Sequence, residues 1–129
     1  MNNKIMIFFS ILIALSISSV RYASAEMYAC MEKERIAMDA SENLRMFRVY
    51  LDRFSVKMNF DPPSVESEKL FLRPSNSTCL RSTASEEFTC TNGWGRTFTY
   101  NMKLSTFVWS YNATDGDDPA IAFGSCERF

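Results

Sequence analysis

The chain of 129 residues contains no histidine. Serine–histidine and cysteine–histidine nucleophile systems need an imidazole base that titrates near neutral pH, so neither can be built here. Zinc sites with histidine ligands are excluded as well. The four cysteines, Cys30, Cys79, Cys90 and Cys126, contain no C-x-x-C pair, which removes the close ligand spacing of a four-cysteine zinc site. No basic run stands out, so nucleic-acid binding has no electrostatic footprint. No internal repeat or low-complexity tract is present. Beyond the first 25 residues no apolar run is long enough to cross a membrane.

The first 25 residues are themselves informative. Lys4 precedes an apolar run from Ile5 to Val20, and Ala23-Ser24-Ala25 follows. A basic start, an apolar middle and a small-x-small end make a secretory signal peptide. The run of about 16 residues is shorter than the roughly 20 that a spanning helix needs. Cleavage is expected after Ala25, leaving a single domain from Glu26 to Phe129. Lys4 and Arg21 leave with the leader, so the mature domain is mildly acidic. Export then sets the reading of the cysteines: an even number in a small exported domain points to two disulfides. Three pairings are open. Cys79–Cys90 with Cys30–Cys126 is favoured, because the first two flank a short polar connection and the last two lie near the mature ends.

The apolar pattern has a period of two. Phe54-Ser-Val56-Lys-Met58-Asn-Phe60 alternates without error, which signals a half-buried strand, and Asp61-Pro62-Pro63 is expected to end it. Lys69–Arg73 reads as a short strand closed by Pro74, and Phe88–Thr91 as another before the hairpin signal Asn92-Gly93. Arg96–Tyr100 and Phe107–Tyr111 form a hairpin with Phe98 and Tyr100 on the face of Trp109 or its neighbours. Ala120–Phe123 is the last strand and Met27–Glu34 the first. Residues 39–53 carry two patterns. Asp39-Ala-Ser-Glu42 resembles a capping box, and Leu44, Phe47, Leu51 and Phe54 recur at helical spacing. Phe47-Arg-Val49-Tyr-Leu51 also alternates, and the surrounding period favours the strand. The expectation is an all-β antiparallel meander of seven or eight strands in a small barrel or flattened barrel, with a short helix near 40–53 as the alternative there.

Candidate sites are few. Trp94, Tyr100, Trp109 and Tyr111 could make an aromatic platform for a ligand, although aromatics in a small β-protein usually pack the core. Asn112–Pro119 gathers Asp115, Asp117 and Asp118 around Gly116, but matches only a fragment of a calcium loop. Arg45, Arg48, Arg53 and Lys57 form a loose basic group of the kind that solubilises a surface. Asn76-Ser-Thr78 and Asn112-Ala-Thr114 are sequons. No pair of carboxylates is singled out for acid–base work. No catalytic residue, metal or cofactor is expected.

Tyr28-Ala-Cys30, Arg53-Phe-Ser-Val-Lys57, the Phe98–Tyr100/Phe107–Tyr111 hairpin and Gly124-Ser-Cys126-Glu-Arg-Phe129 resemble a loose group of small exported bacterial β-proteins without a characterised function. The resemblance implies a periplasmic β-domain and carries over no functional residue. In architecture the chain is also similar to the periplasmic inhibitors of c-type lysozyme. Their Ser-x-Ser-Gly-x-x-Tyr loop is missing, since Ser82-Thr-Ala-Ser85 has no glycine or tyrosine in register. The expected role is a periplasmic or secreted, non-catalytic domain that binds a protein or an envelope component. The alternatives are a carrier of a small apolar ligand in a barrel cavity and an enzyme inhibitor of the lysozyme-inhibitor type.

Overall fold

The computed structural model describes residues 24–38, 46–48, 51–112 and 118–129, with the backbone alone for 46–48. The leader up to residue 23, the capping-box segment 39–45, residues 49–50 and the acidic loop 113–117 lie outside the described residues. Among the described residues nine strands are present: β1 (Glu26–Met38), β2 (Met46–Arg48), β3 (Arg53–Phe60), β4 (Pro63–Glu66), β5 (Ser77–Ser82), β6 (Glu87–Asn92), β7 (Arg96–Asn101), β8 (Thr106–Tyr111) and β9 (Ala120–Arg128). Every pairing is antiparallel, in the order β4-β3-β1-β9-β8-β7-β6-β5, with β2 on the far half of β1.

That order is a meander in disguise. Leaving out β2, each strand neighbours the next in the chain, and β9 returns to pair with β1. The ends of the meander are therefore joined, and eight strands make a nearly closed barrel. The one break lies between β4 and β5, which run side by side without a ladder. Prolines explain its position. Pro63 opens β4, Pro62 precedes it and Pro74 stands just before β5. A residue without an N–H cannot donate to a ladder and is tolerated only at an edge.

One expectation changes. Lys69–Arg73 is a turn rather than a strand. Ser67 and Leu72 exchange backbone hydrogen bonds of 2.8 and 3.1 Å across it, and Phe71 at its apex has a φ of 52°. Leu70 and Leu72 both enter the core from this turn, which imitates strand alternation. Asp61-Pro62-Pro63 does end β3, at Phe60, and the edge strand β4 starts directly after it at Pro63. At Met46–Arg48 the backbone is extended and pairs with Ile36–Met38, so the helical alternative fails there. Among the described residues there is no helix, and hence none long and apolar enough to cross a membrane.

The interior is filled by rings. Tyr28, Phe60, Phe88, Tyr100, Phe98, Phe107 and Phe54 form a continuous chain with centroid separations of 5.4–6.5 Å. Both disulfides join directly opposed residues, Cys30–Cys126 between β1 and β9 and Cys79–Cys90 between β5 and β6. No cysteine is free, so the folded chain belongs in an oxidising environment. One glycine is required by the packing. Gly124 faces Glu32 where the β1–β9 register shifts, and a Cβ there would stand 2.0 Å from the Met31 carbonyl oxygen.

A candidate binding cleft beside a buried carboxylate

Alternation on β1 turns Tyr28, Cys30 and Glu32 inward. The first two suit a core, but Glu32 puts a carboxylate among apolar neighbours at 1% exposure. Burying such a charge costs several kcal/mol unless partners replace its water. Three donors do so. Trp109 Nε1 and Arg35 Nη2 donate to Glu32 Oε1 at 2.9 and 2.7 Å, and the Asp52 backbone N–H donates to Oε2 at 3.0 Å. The last bond has a structural reason. The β1–β3 ladder ends at the pair Met31–Arg53, and one residue further the Glu32 side chain takes up the donor of Asp52. The Glu32 N–H completes the join by donating to the Asp52 carbonyl at 3.0 Å.

The network continues outward through Arg35. Its Nη2 also donates to Asp52 Oδ2 at 2.9 Å, Lys69 pairs with the same oxygen, and the guanidinium lies 5.2 Å from the centre of the Trp109 ring. Burial opposes the charge on Arg35, but its bonds to Glu32 and Asp52 outweigh that and raise its pKa above the ordinary arginine value. Asp52 shifts the other way. Hydrogen bonds from Lys69 and then Arg35 hold its carboxyl below the usual carboxylate range. Arg35 Nε is buried without a hydrogen-bond partner among the described residues.

Above this network opens a cleft of about 450 Å³, lined by Arg35, Lys69, Phe71, Arg96, Trp109 and Tyr111, with Glu68 and Asp118 also in its wall. Arg96 distinguishes it. The guanidinium lies 4.6 Å from the centre of the Phe71 ring and 4.2 Å from that of Tyr111. Contact of this type attracts the cation to the faces of the rings. Arg96 makes no ion pair among the described residues, whereas Arg35 and Lys69 are already paired.

Asn92 positions both sides of that contact. It is only 5% exposed. Its amide donates to the Phe71 carbonyl at 3.2 Å, while its Oδ1 accepts from the backbone of Trp94 and Arg96, each at 3.0 Å. The Asn76 amide donates to the same Phe71 carbonyl at 3.1 Å. The Asn92-Gly93 hairpin signal therefore does two jobs: it turns β6 into β7 and ties that turn to the Phe71 turn.

Of the four aromatics expected as a platform, two share the cleft and two lie elsewhere. Tyr100 belongs to the core chain of rings, Trp109 and Tyr111 line the cleft with most of their surface buried, and Trp94 is half-exposed in a neighbouring depression with Phe71, Arg73 and Asn76. Of the loose basic group, Lys57 faces Glu66 at 4.0 Å and Arg53 is exposed, away from the cleft. Cys30, Cys79, Cys90 and Cys126 are all structural. Glu32, Arg35, Asp52, Lys69 and Arg96 were not singled out by the sequence. One signal was available: Glu32 is a charge at an inward position of an alternating strand. Arg96 had none, because Phe71 reaches it only through the tertiary fold. No family model, curated protein or solved structure matches the chain, and the cleft is read from its own chemistry.

Proposed function

We propose that this chain is an exported, non-catalytic binding domain, working in the periplasm or outside the cell, that holds a protein or envelope component by an anionic group seated in the cleft. One observation carries the reading. Arg96 lies against two aromatic rings at the mouth of a concave site, with its charge unpaired among the described residues. Concave sites with apolar walls and a few convergent polar groups are where ligands bind. Arginine edges are the preferred donors to carboxylate and phosphate. The disulfides support export, since they persist in oxidising compartments. The non-catalytic part of the reading is supported by the lack of histidine and by Asp52, which two cations keep ionised and so unsuited to act as an acid near neutral pH. The filled interior favours a surface cleft over an internal apolar cavity.

The test uses Phe71, which is 55% exposed in the cleft wall. Photo-reactive benzoylphenylalanine replaces Phe71 in the exporting cell and, as a control, Leu104 on the β7–β8 turn. A discrete adduct is expected from position 71, reduced strongly when Arg96→Gln is added. Equal adducts from both positions, or an adduct indifferent to Arg96→Gln, would overturn the reading.

A further inference from the structure

We infer that the group seated in the cleft is a single carboxylate carried on an apolar or aromatic body. This rests on the cleft being an anion site, and goes on to choose among anions.

Charge makes the first selection. Arg35 and Lys69 are paired with Glu32 and Asp52, and Glu68 stands in the same wall. Among the described residues of the wall, Arg96 is the cation that makes no ion pair. A phosphate monoester brings a charge of about −1.5 to −2 near neutral pH. One guanidinium with Glu68 in the same wall does not match that charge. A carboxylate brings one charge and meets one cation.

Geometry is consistent with it: the Arg96 guanidinium carbon stands 4.6 and 4.2 Å from the ring centres of Phe71 and Tyr111, and a guanidinium donates as a fork to the paired oxygens of a carboxylate. Shape makes the second selection. Beyond the charges, the wall consists of Leu70, Phe71, Trp109, Tyr111 and Ala120, an apolar surface suited to a ring or an aliphatic chain attached to that carboxylate. A free aromatic or aliphatic acid has this chemistry. So does a polypeptide that ends in an apolar residue.

The experiment titrates the oxidised, exported protein with three probes, followed by nitrogen–proton NMR at the Trp109 indole and the Arg96 side chain. The probes are benzoate, inorganic phosphate, and a short peptide ending in phenylalanine, used as its free acid and as its amide. Benzoate, the free-acid peptide or both should shift these signals to saturation. Binding of the peptide alone identifies a chain terminus as the source, while binding of benzoate shows that a free acid suffices. Phosphate should bind about tenfold more weakly or worse, given its larger charge beside Glu68. Arg96→Gln should weaken carboxylate binding by about tenfold or more, the worth of a charge-assisted pair. Arg96→Lys, which keeps the charge and loses the fork, should fall between. A melting temperature near that of the parent shows that each variant is folded. Phosphate binding as tight as benzoate overturns the inference but leaves an anion site standing. Equal binding of acid and amide peptides, or carboxylate binding indifferent to both Arg96 variants, also overturns it. No shift with any probe overturns it too, and the Phe71 cross-link decides separately whether a partner uses the cleft.

Discussion

The two disulfides have the same local setting and different consequences. Each joins directly opposed residues on antiparallel strands, with Cα atoms 4.0 Å apart. Cys30–Cys126 ties the first strand of the barrel to the last across 96 residues, and both cysteines are buried. Beside it lie the buried Glu32 network and the close approach at Gly124. Cys79–Cys90 spans 11 residues within one hairpin at the open edge. The closed seam concentrates whatever cannot be changed. The open side, bounded by prolines and exposed β5 residues, is where the chain can give. Position in the topology, rather than the bond itself, sets what a cross-link is worth.

The largest effect should come from the cross-links. In the chain-entropy description, replacing both Cys30 and Cys126 by alanine should cost about 4.7 kcal/mol, and replacing Cys79 and Cys90 about 2.8 kcal/mol. Denaturant unfolding of the two double variants measures the gap. Equal losses would erase the distinction between the seams.

Next in size, Glu32→Ala should destabilise by about 3 kcal/mol or more. It strips Arg35 and the Trp109 indole of a buried partner, and breaking such pairs typically costs 3–5 kcal/mol. Asp52 still holds Arg35, which places the expectation at the lower end. A loss below about 1 kcal/mol, a surface-pair value, would mean that the network contributes little to the closed seam.

Gly124→Ala sharpens the same contrast with one methyl group. The obstruction is backbone, the Met31 carbonyl, so β1 and β9 must separate. A loss of about 2–3 kcal/mol is expected, as for overpacked sites. Gly93→Ala on the β6–β7 turn has open space around its Cβ and should change stability by less than about 0.5 kcal/mol. Similar melting temperatures for the two variants would contradict the packing argument.

The smallest effect concerns pH. Asp52 has a folded pKa lowered below its unfolded value, so its contribution is present above the unfolded carboxylate range and is lost as pH falls through the folded pKa. Its side chain is 42% exposed, and solvent screening keeps the effect modest. The stability difference between the parent and Asp52→Asn should shrink as the solution is acidified through that window, and also in high salt. A difference that is flat with pH would show that the pairing with Lys69 and Arg35 does not stabilise the fold.

How much of this was legible beforehand depends on range. Phe54–Phe60, Arg96–Tyr100 and Phe107–Tyr111 were readable as strands, because alternation and turn residues act within a few positions. The favoured disulfide pairing, one of three left open, is the one found: Cys79–Cys90 was favoured for flanking a short connection and Cys30–Cys126 for lying near the mature ends. Lys69–Arg73 misled for a physical reason: a turn that drives Leu70 and Leu72 into the core writes the same pattern as a strand. The first strand was read as ending at Glu34, whereas β1 runs on to Met38. Alternation from Tyr28 and Cys30 points Glu32 inward, and the contacts with Asp52 and Trp109 show what partners it there. The cleft was invisible. Its wall is assembled from β1, the 68–71 turn, β7, β8 and the start of β9, and no spacing in the chain relates Arg96 to Phe71.

Residue order alone was enough for a β-protein, most of its strands, a paired set of cysteines and the chemistries that a chain without histidine cannot perform. These follow from backbone and side-chain preferences that operate over short distances. Where the barrel opens, which carboxylate is buried, and which arginine is left with a charge to share were settled by the folded arrangement. Each depends on groups brought together from distant parts of the chain, and burial and charge pairing act through space.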